Sequence, residues 1–274
     1  MRLLRIAAIV IFAISLVFSL WATQHYYSKI NMDYPVITNM TELLEISVQD
    51  PPEALCRGLT AWDETDGVLT DQIMVASISH FLEPGTVSVK YVVFDSHNNS
   101  TTLTRRVHYT DYVPPKFSLD KAPVYTTGTS FDLLNYIKVE DCIDGDISNN
   151  IRLLSNMVNN YSVGNYPVTV EVSNSCGDTA QATLWVTYRA KESTAVVTLH
   201  RYIVYVEQGE TFTPEQWLAT VTDRNAVALD VANVEVQGSL DTNTPGCYQL
   251  VYSYDDGTLE GQAPLTVVVT ERQG

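Results

Sequence analysis

Oxygen donors gather in two short turns of the chain, at Asp141, Asp144 and Asp146 in D-C-I-D-G-D-I and at Asn174 and Asp178 in N-S-C-G-D. Hard oxygen ligands of this kind suit Ca2+. The spacing matches no EF-hand loop, however, and Asp-Gly is equally the chemistry of a tight turn, since Asp bonds its own backbone and Gly accepts positive φ. The turn reading ranks ahead of the calcium reading, and both stay open. Asp63, Asp66 and Asp95 repeat the pattern more thinly upstream.

Other chemistry has little support. The histidines His25, His80, His97, His108 and His200 stand singly, with no H-E-x-x-H spacing. The sequence contains no G-x-S-x-G elbow, P-loop or dinucleotide fingerprint. The reading is therefore a protein that is not an enzyme and needs no cofactor beyond the possible Ca2+. Cys56, Cys142, Cys176 and Cys247 form no C-x-x-C pair. A sandwich would bring the turns of Cys142 and Cys176 to one end, where a disulfide would close a loop of about 35 residues and stabilise by about 3 kcal/mol. Such a bond presumes an oxidising compartment.

The elements that position these turns are strands. Tyr166, Val168, Val170 and Val172 alternate with Pro167, Thr169 and Glu171, and after the Ser173 to Asp178 turn the alternation resumes at Ala180, Ala182, Leu184, Val186 and Tyr188. A period of two on both sides of a polar turn is a β-hairpin. The text recurs: Asp63, Asp66, Gly67 and Ile73 align with Asp141, Asp144, Gly145 and Ile151, and Tyr91, Val93 and Tyr109 with Val170, Val172 and Tyr188. A weaker third copy keeps Gly246, Tyr248, Tyr252 and Tyr254 but has lost the Asp-Gly turn. A repeat of about eighty residues is too long for a solenoid and suits one small β-sandwich per copy. In this alignment Arg105 replaces Leu184, which predicts a bulge or an inner face reaching the rim. Cys56 aligns with Leu134 and is expected inside a core strand.

The succession D-x-x-D-G-D-I, G-x-Y-x-V-x-V-x-V, a polar N-S-x-G-D turn and T-A-x-A-T-x-x-V resembles the bacterial immunoglobulin-like domains of surface adhesins, secreted enzymes and an insecticidal crystal protein. Copy two carries it over nearly its whole length, copy one well, and copy three only in its second half. The resemblance implies an Ig-like sandwich in an extracellular setting and no single activity.

The chain begins with Arg2 and Arg5, followed by an uncharged run from Ile6 to Ala22 with Trp21 at its far edge. That run is long enough to cross a bilayer, and the basic flank keeps the N-terminus cytoplasmic. Leu20-Trp21-Ala22 is a poor cleavage site, so an uncleaved anchor is preferred to secretion after signal removal. With Lys plus Arg at 16 against Asp plus Glu at 32, the net charge of −16 repels phosphate backbones and excludes nucleic acid as a partner.

The expected architecture is all-β, three tandem Ig-like sandwiches after a transmembrane helix. Residues 1–30 form the N-terminus, anchor and neck, 34–112 the first domain, 113–190 the second and 191–274 a divergent third. Glu42 to Val48 is the expected opening strand of copy one, and Val196 to Val206 that of copy three. Val113-Pro114-Pro115 is a stiff joint and Arg189 to Ala195 a polar one. The expected function is a non-catalytic surface stalk that meets the lipid bilayer through residues 6–22 and a protein or polysaccharide ligand through its domains. A subunit of a cell-envelope assembly for polysaccharide export, division or secretion, and an accessory module of a surface hydrolase, are the alternatives.

Overall fold

The computed structural model describes residues 2–27 and 33–272, with side chains described at 9–26 and 33–272. Helix α1 runs over Arg2–Tyr27. Its 26 residues rise by about 39 Å at 1.5 Å per residue, more than the roughly 30 Å of a hydrocarbon core. Within it Ile9–Tyr26 is long and apolar enough to cross a membrane, and none of that span is buried. Trp21 lies on this span, stacked on His25. The backbone of Arg2, Arg5 and Ile6 belongs to the helix, and their side chains lie outside the described residues.

Two compact units follow from the contacts, Met1–Thr110 and Asp111–Gly274. In the first, copy one forms β1 (Val36–Asn39), β2 (Leu43–Ile46), β3 (Leu59–Asp63), β4 (Gly67–Val68), β5 (Met74–Ile78), β6 (Thr86–Phe94) and β7 (Ser100–Tyr109). One sheet has the order β1-β3-β4 and the other β2-β7-β6-β5. The second strand pairs parallel to the last, Leu43 opposite Arg106, while all other pairs are antiparallel. The opening segment is thus divided between both sheets, and Glu42 to Val48 is its second half.

Copy two repeats this plan with β8 (Lys116–Leu119), β9 (Val124–Thr126), β10 (Ile137–Asp141), β11 (Gly145–Asp146), β12 (Arg152–Asn156), β13 (Gly164–Ser173) and β14 (Thr179–Arg189). Its sheets are β11-β10-β8 and β12-β13-β14-β9. The expected hairpin is β13–β14, in unbroken register from Gly164 opposite Tyr188 to Ser173 opposite Thr179. Val168, Val170, Val172, Ala182, Leu184, Val186 and Tyr188 are all buried, as the alternation requires.

Copy three comprises β15 (Ala195–Leu199), β16 (Ile203–Glu207), β17 (Leu218–Asp223), β18 (Val234–Gly238), β19 (Gly246–Asp255) and β20 (Glu260–Thr270), in sheets β15-β17 and β16-β20-β19-β18. The expected single strand Val196 to Val206 is two strands that bend at His200 to Tyr202 and join opposite sheets. Pro214–Trp217 forms a short 3₁₀ turn with proline at its start, and Thr213 before it makes no side-chain capping hydrogen bond.

Copies two and three pack into one another. Ile203 of β16 is buried in the core of copy two, with Tyr205 and Val268 packed against that core. Tyr205 Oη accepts a hydrogen bond from Phe117 N at 2.7 Å, and Arg189 pairs with Glu260 at 3.0 Å. The polar segment at Arg189 to Ala195 therefore connects domains that share a covered face.

Arg105 departs from the sequence reading. Register from Thr86 opposite His108 to Phe94 opposite Ser100 has no bulge, and the irregularity lies on β5 instead, between Val75 and Ser77. Arg105 points into the core with 2% exposure. Its guanidinium donates to Leu55 O at 2.7 Å, Arg57 O at 2.9 Å and Tyr91 Oη at 3.3 Å. Tyr91 Oη in turn donates to Leu55 O at 2.7 Å. The guanidinium thus fastens a 3₁₀ turn, Pro52–Cys56, whose carbonyls would otherwise face the core. That turn also holds Cys56, half-buried rather than set in a core strand.

Two outcomes follow. Arg105→Leu, which installs the residue of copy two, leaves the Arg57 carbonyl without its buried donor and is expected to cost about 1–3 kcal/mol in denaturant unfolding of the full chain; unchanged stability would mean that an aliphatic core serves copy one equally well. Burial pushes the Tyr205 hydroxyl up to about 12. The folded form holds this proton more tightly than the unfolded chain, whose tyrosines titrate near 10. The stability tied to it is intact below pH 10 and is lost as pH rises toward 12. An alkaline melting series should show this slope in the wild type and less of it in Tyr205→Phe.

Candidate functional site

The polar residues singled out by the sequence collect at one end of each of the first two sandwiches, where the turn after the third strand meets the turn of the long hairpin. In copy two, Asp141 ends β10 with 5% exposure. Its Oδ1 accepts from Ile143 N and Asp144 N, both at 2.9 Å. These bonds fold the chain back through Gly145, whose φ of +70° would strain any side chain. Asp144 then reaches across to the other sheet, taking Ser175 N at 2.6 Å on Oδ2 and Ser175 Oγ at 2.7 Å on Oδ1.

Asn174 closes the same end from the hairpin side. It is 6% exposed, and its Nδ2 donates to Asp141 Oδ2 and to Tyr112 Oη, both at 3.1 Å. Its Oδ1 accepts from Asp178 N at 2.9 Å. Tyr112 Oη donates to Asp178 Oδ2. Burial, followed by the bond to Asp178, raises the Tyr112 hydroxyl far above its ordinary range and keeps it a donor. Four of the five expected ligands, Asp141, Asp144, Asn174 and Asp178, are therefore together. Asp146 is not among them: its Oδ1 binds Ser148 N at 2.9 Å on its own strand side.

In this arrangement the oxygens of Asp141 and Asp144 are each met by a protein donor, which is the turn-forming role. Tyr112 and Ser175 complete the network and escape a sequence reading, since Tyr112 sits where one copy gives way to the next. The expected Cys142–Cys176 disulfide is replaced by two free thiols. Cys142 Sγ donates to Val113 O at 3.1 Å, and burial pushes both thiols above their ordinary value. The end of the sandwich is held by the Asp144–Ser175 and Asp141–Asn174 bonds instead.

Copy one has the same frame with different donors. Asp63, 1% exposed, accepts Thr65 N at 2.9 Å and Asp66 N at 3.0 Å on Oδ1. Asp66 Oδ2 accepts Ser96 N at 2.8 Å, the counterpart of the Asp144–Ser175 bond. Asp95 stands at the place of Asn174, with Oδ1 taking His97 N at 2.8 Å and Asn99 N at 2.7 Å, and Oδ2 taking Asn99 Nδ2 at 2.7 Å. Burial opposes the charge on Asp95, but the donors from Asn99 and His97 outweigh it and hold the carboxyl below its ordinary value. His97, one of the scattered histidines, occupies the position of Cys176. Donor atoms of Asp66, Asp95 and His97 lie within 4.8 Å of one another.

Residues 201–269 match the family described as bacterial surface protein, Ig-like domain. This match and the resemblance read from the sequence agree on the bacterial surface Ig-like type, and the match falls on copy three, where the sequence reading found it weakest. The chain is 30% identical over 151 residues to the pesticidal crystal protein Cry22Aa of Bacillus thuringiensis, covering 52% of this chain and 20% of that protein. It is 24% identical over 218 residues to an uncharacterized 81.3 kDa protein of Acholeplasma phage L2, covering 76% of this chain and 29% of the relative. The chain therefore spans less than a third of the length of either relative. Among solved structures it is similar to Drosophila N-cadherin EC1-3, with a TM-score of 0.30 and 12% identity over 85% of this chain and 98% of that one. A second is the M60 catalytic domain with CBM51-1 and CBM51-2 from Clostridium perfringens ZmpB, with a TM-score of 0.25 and 13% identity over 89% of this chain and 31% of that one.

Substituting Asn174→Asp removes the amide donor and sets a second carboxylate against Asp141 Oδ2. Urea unfolding at neutral pH should show a loss of about 1–3 kcal/mol or somewhat more, and the loss should shrink in acid, where one of the two carboxyls takes up a proton.

Proposed function

We propose that this chain, with a bacterial surface-type Ig-like domain behind an apolar helix, is a membrane-anchored extracellular protein that acts as a stalk and binding module without catalysis of its own. The observation that carries the reading is the Ile9–Tyr26 span, uncharged, predominantly apolar and covered by no other part of the described chain. A helix that is hydrophobic all round finds its partner atoms in a protein core or in lipid. No other part of the described chain covers this span, which favours lipid as its partner. The basic flank of Arg2 and Arg5 favours a cytoplasmic N-terminus, which puts residues 33 onward outside.

The sandwiches support the binding half of the reading by their construction. Each has a buried core, and most polar groups of its end turns are engaged in hydrogen bonds that fix the loops. Rigid loops and sheet faces on a closed frame are what a protein or polysaccharide ligand at the cell surface would meet. The acidic surface favours basic or cation-bridged partners.

Protease treatment of intact cells tests the placement. Copy three should be digested without lysis, while the α1 fragment stays in the membrane pellet after alkaline carbonate extraction. Protection of copy three until the cells are broken, or release of the chain by carbonate, would sink the reading.

A further inference from the structure

We propose that the cleft between copies two and three, walled by Lys116, Arg201, Tyr205 and Trp217, binds an acidic polysaccharide through a carboxylate-bearing sugar ring. The cleft follows from the bend that divides Val196 to Val206 into two strands. Arg201 sits in that bend, and Ile203 and Tyr205 follow it on β16, which packs against β8. Lys116, Phe117 and Ser118 of β8, Glu140 of β10 and Trp217 close the rest of a hollow of about 420 Å³. Clefts that hold small ligands run to roughly 300–1,000 Å³.

Hydrogen bonds and packing fix the walls in advance. Tyr205 Oη accepts from Phe117 N at 2.7 Å. His200 N donates to Trp217 O at 2.9 Å, which ties the bend carrying Arg201 to the turn carrying Trp217. Tyr252 Oη donates to Pro214 O at 2.6 Å at the start of the same turn, and Phe212 stacks on the Trp217 ring with centroids 6.2 Å apart. Two aromatic side chains are thus held at the cleft as contact surface that costs little entropy to use.

Charge selects the ligand. The chain carries a formal charge of −16, and Lys138, Arg189 and Arg224 are neutralised by Asp120, Glu260 and Glu192. Arg201 and Lys116 are exposed, and neither forms an ion pair among the described residues. Lys116 Nζ lies 5.6 Å from the centroid of the Tyr205 ring. Glu140, opposite Lys116 in the sheet, is the one carboxylate among the lining residues. Two cations against one carboxylate make a positive spot on an acidic protein, and such a spot concentrates anions. An acidic sugar uses every part of it. The carboxylate pairs with the Arg201 guanidinium, the ring carbons lie against an aromatic wall, and the hydroxyls meet Ser118 and Glu140. A peptide of Asp and Glu matches the charges but brings no ring to Trp217. The inference rests on the binding half of the proposed function and gives that half a site and a ligand class.

The test titrates the full chain in detergent, by calorimetry, with trigalacturonate and with its methyl ester, which keeps the rings and removes the charges. The acid should bind, and the ester should bind at least about ten-fold more weakly. Arg201→Ala, at an exposed position, should cost a similar factor, whereas Arg152→Ala, which removes an exposed cation from β12, should leave the affinity unchanged. Trigalacturonate should also alter the tryptophan fluorescence of the wild type and not that of Trp217→Phe. No binding of the acid, equal losses in Arg201→Ala and Arg152→Ala, or tighter binding of a polyglutamate peptide than of the sugar would each overturn the proposal. Protease and carbonate treatment read α1 and the placement of copy three, so a failed titration leaves the stalk standing, and a misplaced chain leaves the titration as it is.

Discussion

The sandwiches depend on an aspartate that ends the third strand of each copy and folds the chain back on itself. Asp63, Asp141 and Asp223 each place Oδ1 within about 3 Å of two backbone N–H groups in the following turn. The position follows from geometry. A strand leaving a closed core has backbone donors with no ladder partner, and a short carboxylate can satisfy two of them at once. In copies one and two the turn then projects a second acid, Asp66 or Asp144, onto the backbone of the facing hairpin turn, so the two sheets are tied together where their strands end. Copy three lacks this link. Asp223 stays within its own turn, where Ala226 adopts a φ of +63°, and Asp256 serves the hairpin turn through Thr258 N and Leu259 N.

Periodicity made the strands legible, and it also hid where they change partners. The alternation of Val168, Val170 and Val172 against Ala182, Leu184 and Val186 could only be a hairpin with one buried face, and the repeat carried that result to the other copies. The run Val196 to Val206 alternates just as well, yet its two halves pair with β17 and β20 on opposite sheets. A bend of a few residues shifts the face without breaking the hydrophobic pattern, so the period alone is blind to it. Arg105 was illegible for a different reason. Its partners are the Leu55 and Arg57 carbonyls, some fifty residues away, and nothing local announces a buried acceptor pair.

The end turns were legible as acidic and hairpin-linked, but which atoms satisfied which was not. Tyr112 and Ser175 entered the network from a joint and from a hairpin tip, and His97 gained its neighbours only through the fold. The cysteines show the limit of topological reasoning. Two turns at one end bring two thiols near each other, but a disulfide also needs the side chains to face, and Cys142 is turned to the Val113 backbone.

Copies two and three show why repetition does not guarantee separation. Ile203 and Tyr205 follow the bend that sends β16 to the second sheet, and that bend aims them at β8 and the core of copy two. Tyr205 illustrates how such a face is specified. Its ring covers apolar surface, and its hydroxyl meets the Phe117 N–H, so the contact has both area and a directional bond. A polar linker sequence reports only that the connecting backbone is solvated; whether the domains it joins share a core depends on which side chains the flanking strands turn toward each other. The end turns differ between copies, Asp95 against Asn174 and His97 against Cys176, whereas the face shared by copies two and three is held in place, because any shift there would strip the Phe117 N–H of its partner inside an apolar contact.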